Sequence, residues 1–263
     1  MKRFGERHVT KNINELPGHD YVWSLNYIRD YQDINKVEVI ADISCGTGSG
    51  SFFISKQIEK NVIGVDYSIG ALKHAKNLFK NHEFYPNFVA MDCHFLAFKN
   101  NSIDIIISIG TIEHLQHVNL FLKETKRVLK ENGLLIITTP NKNFSSPGLK
   151  KPVNLYHIKE YSLSELKDIL NKFYQKFEIY GLQLDCDSLN RIKTYRRGFR
   201  YRLGIRIGQL EIFRKIFRFI PNRLKHILAG VPTITRSYDN YSPSQNNLDN
   251  SAQFNVIIKN SKI

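Results

Sequence analysis

The chain has 263 residues, enough to bury a full α/β core with room for one added element. Apolar residues at 42% and charged residues at 24% fit a soluble globular protein, and no run approaches the roughly 18 apolar residues that a membrane span requires. The formal charge of +14 is concentrated: residues 191–230 hold twelve Lys/Arg against one acid, Glu211, which leaves the remainder of the chain close to neutral. Cys45, Cys93 and Cys186 are odd in number and widely spaced, which suggests neither a disulfide framework nor a zinc site. The first eight residues lack the apolar core of a signal peptide, so the expectation is a cytoplasmic protein with reduced thiols.

Residues 1–17 are polar and are punctuated by Pro17-Gly18. Residues 19–28 then read as a short helix. Val37, Val39, Ile40, Ala41 and Ile43 form an apolar run that fits a strand buried on both faces. It leads into Asp42-Ile43-Ser44-Cys45-Gly46-Thr47-Gly48-Ser49-Gly50 and a helical pattern carried by Phe52, Phe53, Ile54 and Ile58. Glycines between a strand and a helix let the backbone turn tightly and let a ligand approach the helix N-terminus. Residues 62–66 read as the next parallel strand, with Asp66 at its end. An acid there can accept hydrogen bonds from ribose hydroxyls or cap the helix that starts near Ile69; its pairing with the glycine loop favours the ribose role.

D-I-S-C-G-T-G-S-G followed by V-I-G-V-D resembles the first two motifs of class I S-adenosylmethionine-dependent methyltransferases, and more narrowly the small-molecule O-methyltransferase-like type that carries D-x-x-C-G-T-G. A nicotinamide- or flavin-binding fingerprint wants G-x-G-x-x-G, whereas the third glycine here comes one residue early, at Gly50. The resemblance runs from about Lys36 to Gly181, plus a last strand near Phe254. It implies a Rossmann-like, doubly wound α/β sheet of seven strands with the last antiparallel. It also implies S-adenosylmethionine as cofactor, held by Asp42, Ser44, Cys45, Gly46, Thr47, Gly48, Asp66 and Tyr67. In that family a helix ahead of the first strand covers the mouth, so Tyr21, Trp23 and Tyr27 line it; alternatively they pack on the sheet edge.

Ala71, Leu72, Ala75, Leu78 and Phe79 recur at helical spacing, and residues 87–92 read as a third strand. The family places an acid at the following turn to accept from the adenine amino group. Asp92 matches it, with Cys93 or His94 beside the ring; a turn-forming Asp is the other reading. Residues 102–110 form a central fourth strand. Ligands bind outside the carboxyl ends of such strands, which puts Ile109, Gly110, Glu113 and His114 beside the reactive methyl. An amphipathic helix over residues 120–132, ended by Asn132-Gly133, precedes a fifth strand over residues 134–141. The long connection 141–161 carries Asn154, Tyr156, His157, Glu160 and Tyr161, resembling the N-x-x-H-x-x-E-Y-[ST] segment of a bacterial subset of the family. Ser162 and Glu165 form a capping box. Strands over residues 177–182 and 253–259 complete the sheet.

An oxygen nucleophile of alcohol pKa needs its proton removed, work suited to a histidine. His114 is the first candidate base and His157 the second, each with a structural alternative. Glu113 and Tyr156 join the substrate-binding set. Metal-dependent relatives carry E-x-x-E-H at this place; here Gly110 stands at the first glutamate position, and no metal is expected. The parts are thus an N-terminal segment with cap helix (1–36), the cofactor-binding core (37–184 with 253–260) and a basic, partly helical insertion (185–252). In the insertion Phe213, Ile216, Phe217 and Ile220 recur at helical spacing until Pro221, and Leu224, Ile227 and Leu228 follow; residues 237–251 read as a mobile stretch. It is a cap shaping the acceptor pocket, a surface contacting anionic membrane through residues 191–230, or a grip on an anionic substrate, nucleic acid being the weaker case. The function expected is methyl transfer to an oxygen of a small molecule, glycan or lipid-linked acceptor; an RNA or protein methyltransferase and a non-catalytic cofactor-binding partner module are the alternatives.

Overall fold

A computed structural model describes residues 18–184, 186–197, 199–217 and 242–260. The polar stretch 1–17, Ile220, the stop at Pro221 and the second apolar set (Leu224, Ile227, Leu228) lie outside them. The described elements are α1 (His19–Tyr31), β1 (Ile40–Ile43), α2 (Ser49–Ile58), β2 (Val62–Asp66), α3 (Ile69–Phe79), β3 (Asn87–Ala90), β4 (Ile103–Ile109) and α4 (Val118–Val128). There follow β5 (Leu129–Pro140), α5 (Lys142–Ser145), α6 (Leu163–Leu170), β6 (Phe177–Gln183), α7 (Cys186–Arg197), α8 (Phe199–Gln209), α9 (Glu211–Phe217), β7 (Ser242–Ser244) and β8 (Gln253–Lys259).

The strands form one sheet in the order β3-β2-β1-β4-β5-β8-β6-β7. Neighbours from β3 to β5 run parallel, and β8 enters antiparallel between β5 and β6. This is the doubly wound sheet expected, with one short edge strand more.

Side-chain alternation explains why both faces are covered. Leu134 and Ile136 of β5 point to one face, where they meet Leu25 and Ile28 of α1 and Ile54 of α2. Leu135 and Ile137 point to the other and meet Phe121 and Leu122 of α4 with Leu166 and Leu170 of α6. All four β5 side chains are fully buried. Truncating any one to Ala costs roughly 2–5 kcal/mol.

Two boundaries differ from the sequence reading. The helix expected over residues 120–132 stops at Val128, because Leu129 is already paired with Ile103 of β4 and buried among the core side chains. Asn132 takes a left-handed conformation (φ 63°) within β5, and its amide donates to the Asn260 carbonyl, so Asn132-Gly133 is a bend in a strand rather than a helix stop. Part of the stretch read as mobile is built into the sheet. Ser242–Ser244 pairs with β6, and the Asn141 side-chain amide donates to the carbonyls of Leu248, Asp249 and Ser251.

Candidate active site

The site lies at the carboxyl ends of β2, β1 and β4, next to one another in the sheet. After β1 the chain turns through Ser44 (φ 65°), Gly46 (φ 59°) and Gly48 (φ 77°), three left-handed residues in five. Gly48 is the N-cap of α2, and a Cβ there would strike the Phe88 ring at 2.4 Å. Among the described residues, nothing lies within 4 Å of a Cβ placed on Gly46.

Asp66 ties this turn to the next. Its Oδ2 accepts from the Gly46 amide at 2.8 Å and its Oδ1 from the Ser68 amide at 2.7 Å. The helix cap belongs to Ser68, whose hydroxyl accepts from the Ala71 amide. Each Asp66 oxygen keeps acceptor capacity beyond these bonds, and Tyr67 beside it is 64% exposed. At the tip of β3, Asp92 Oδ1 accepts from the His94 amide at 2.9 Å and lies 2.6 Å from His94 Nδ1. Burial, with Asp92 adding to it, pushes the Cys93 thiol up to about 12, against a smaller lowering by Ser44.

Beneath the loop, Asp42 is completely buried. It accepts from the Ser51 hydroxyl at 2.6 Å and from the Tyr21 hydroxyl at 3.1–3.2 Å. Burial raises its carboxyl to about 7 against these bonds. The Tyr21 ring lies on Gly50, where a Cβ would come within 2.0 Å of it. Tyr21 thus joins α1 to the glycine loop.

At the end of β4, the Gly110 amide donates to the Thr138 carbonyl. Glu113 is buried and accepts from the Thr139 hydroxyl at 3.1 Å. Its backbone carbonyl takes the amides of Ile158 and Lys159, which docks the long loop 141–161 on this turn. His114 Nδ1 lies 3.0 Å from the Tyr156 carbonyl. A carbonyl only accepts, so Nδ1 carries the hydrogen and Nε2 is the basic nitrogen of the neutral ring. That Nε2 sits 3.9 Å from Glu113 Oε1.

His157 is not placed as a second base. The Asn154 amide donates to its Nε2 at 2.9 Å, and its Nδ1 meets Glu160 Oε1 at 2.6 Å. Glu160 also accepts from the Ser145 and Ser146 hydroxyls, both at 2.6 Å. Burial pushes the Glu160 carboxyl up, but the bonds from His157 and the two serines outweigh it and hold it below the usual range. His157 therefore pins the loop, with its ring perpendicular to that of His114 and 4.8 Å away. Trp23 and Tyr27 also depart from a mouth-lining role: both pack on Tyr180 of β6, and Tyr27 is buried in the core.

The sequence reading missed Asn154, Glu160, Ser145 and Ser146 as a relay. Asn154, His157 and Glu160 recur every three residues, and that spacing was the available signal. The helical cap expected in the insertion is represented by α8 and α9, and the contacts that seat it on the long loop were not legible in the sequence. Gln209 exchanges two bonds with the Lys151 backbone, and Phe217 meets the Tyr156 ring edge-to-face at 5.5 Å. Tyr156 is half-buried there, and burial raises its hydroxyl.

A family profile described as a methyltransferase domain matches residues 41–137, from β1 into β5. A probable S-adenosylmethionine-dependent methyltransferase of Mycobacterium tuberculosis is 32% identical over 133 residues, covering 50% of this chain and 46% of that protein. The chain contains a class I S-adenosylmethionine-dependent methyltransferase domain. It spans about half the length of the curated methyltransferases it matches first. An uncharacterised protein of Methanocaldococcus jannaschii is 32% identical over 231 residues, 83% of this chain and 85% of that protein. Among solved structures, magnesium protoporphyrin IX methyltransferase from Synechocystis, with S-adenosylhomocysteine bound, superposes with a TM-score of 0.51 at 16% identity, over 64% of this chain and 78% of that one.

The family's cofactor is S-adenosylmethionine, and the residues present fit it. A Cβ added to Gly46 would meet no described residue, acids stand at the tips of β2 and β3, and Tyr67 next to Asp66 is exposed. Glu113, His114 and His157 bring ligand-type atoms within 4.8 Å of one another, and Asp92, Cys93 and His94 do the same. In the first group Glu113 already holds Thr139, His114 the Tyr156 carbonyl, and His157 both Asn154 and Glu160. Gly110, at the place of the first glutamate, adds no side-chain ligand to the group.

Proposed function

We propose that this protein transfers the methyl group of S-adenosylmethionine to an oxygen of a small molecule, glycan or lipid-linked acceptor. The observation that carries the reading is an adjacency. The glycine loop after β1 and a histidine of fixed tautomer after β4 sit on neighbouring parallel strands.

S-adenosylmethionine supplies an activated methyl when bound. Asp66, Ser44, Cys45, Thr47 and Gly48 with Gly46 would hold the nucleoside and its amino-acid tail; Asp92, with Cys93 beside it, would take the adenine, and Ile109 and Gly110 would border the methyl. Asp42 and Tyr21 support the loop from below. The tautomer of His114 directs Nε2 to take the acceptor hydroxyl's proton. Glu113, 3.9 Å away, stabilises the imidazolium that results. Holding nucleophile and methyl in line is the larger part of the work. The cap formed by α8, α9 and the loop 141–161 encloses the acceptor side around Tyr156, which suits a small or tethered acceptor.

The test is transfer of isotope-labelled methyl from S-adenosylmethionine to panels of hydroxyl-bearing small molecules, glycans and lipid-linked glycans. Labelled methyl ethers are the expected product. Label appearing only in RNA or protein would overturn the acceptor class. Cofactor binding without turnover on any panel would favour a non-catalytic partner module.

A further inference from the structure

Among the described residues of the helical cap, four aliphatic side chains stand exposed. Leu203, Leu210, Ile212 and Ile216 are 45%, 55%, 68% and 52% exposed. The inner side is committed: Phe217 is buried against Tyr156, and a Cβ on Gly208 would meet Leu155 at 3.2 Å. Leu203 lies on α8, with exposed Arg206 three residues on, and Leu210 sits in the link between α8 and α9; Ile212 and Ile216 share a face of α9. Residues 191–230 account for +11 of the chain's +14.

We propose that α8 and α9 dock on an anionic lipid bilayer, the four aliphatic side chains entering the headgroup boundary and the arginines pairing with lipid phosphates. Charge complementarity names the occupant. Leucine and isoleucine gain from contact with acyl chains, whereas they offer no stacking face and no hydrogen bond to a nucleic-acid base. No helix among the described residues is long and apolar enough to cross a membrane, so the contact is peripheral. It holds the loop 141–161, which lies under these helices, at the lipid–water boundary. The inference stands apart from the acceptor assignment, because docking is measured without turnover.

The test is co-sedimentation of the full chain with vesicles of phosphatidylcholine alone and of phosphatidylcholine with phosphatidylglycerol. Pelleting with the anionic vesicles and release by salt are expected. The Ile212→Ser/Ile216→Ser variant lowers partitioning at least about tenfold. The Arg197→Glu/Arg206→Glu variant lowers it by more than about tenfold, since each basic residue contributes roughly fivefold. Cofactor affinity, measured in parallel, stays unchanged in both and reports an intact core. Equal pelleting with neutral vesicles, or none with either, overturns the proposal. So does tighter binding to single-stranded RNA than to anionic vesicles at the same ionic strength. Should the isoleucine variant fail to fold, retention of wild-type pelleting by the arginine variant overturns it as well.

Discussion

On the side proposed for the methyl donor, one carboxylate and a short run of backbone set the shape. Asp66 clasps the amides of Gly46 and Ser68, and the backbone of residues 44–48 supplies the shape. On the side proposed for the acceptor, His114 leans on the carbonyl of Tyr156, His157 on Asn154 and Glu160, and Glu160 on two serines at the end of α5. The first region is held by backbone amides close in sequence, the second by side chains converging from β4, a long loop and the insertion. Donor geometry is therefore robust to neighbouring changes, and acceptor geometry depends on each member of a network.

Four substitutions would break or sharpen that contrast. His114→Gln keeps a donor to the Tyr156 carbonyl but loses the base; kcat falls about 10²–10⁴-fold with cofactor affinity intact. A weakened cofactor affinity by isothermal titration would break the division between the sides. Asp66→Ala should do the reverse, weakening cofactor binding about 10–100-fold through loss of charge-assisted bonds. If affinity is untouched, the assignment of Asp66 fails. Glu160→Gln lowers stability by about 2 kcal/mol in urea unfolding, because it weakens bonds to His157, Ser145 and Ser146 at once. A wild-type midpoint would show that the relay is ornamental.

The smallest effect is expected at Asp42→Asn. Burial raises the Asp42 carboxyl to about 7 from 3.8, so the folded state favours the protonated form. Native stability from this group is full below the unfolded value and is lost as pH rises toward the folded one. The Asn variant escapes that loss. Its free energy of unfolding should exceed the wild type's at neutral pH by on the order of 1 kcal/mol in denaturant titration, with the gap closing as pH falls through that window. A gap that widens in acid would contradict the burial.

The same contrast explains what the sequence disclosed. The glycine loop and the acid after β2 are legible because backbone turns demand particular residues at fixed spacing. The fate of Trp23 and Tyr27 was not, because it is decided by Tyr180 on a distant strand. His157 looked like a base in isolation; only Asn154 and Glu160 together show it as a strut. The strand Ser242–Ser244 has no apolar alternation and exists because β6 offers it an edge. The end of α4 was misjudged because Leu129 suits a helix as well as the strand that claimed it.

The position of β8 has a consequence for biosynthesis. Its seven residues slot between β5 and β6, and the Gln253 side chain reaches Asp20 of the first helix at 2.7 Å. A ribosome must translate residues 184–252 after β6 before the slot can be filled. Throughout that interval β5 and β6 have bare edges, the kind of surface that invites chaperones or unwanted strand exchange. Nascent chains of this protein therefore reach their final architecture late, in one closing event that joins both ends of the described fold.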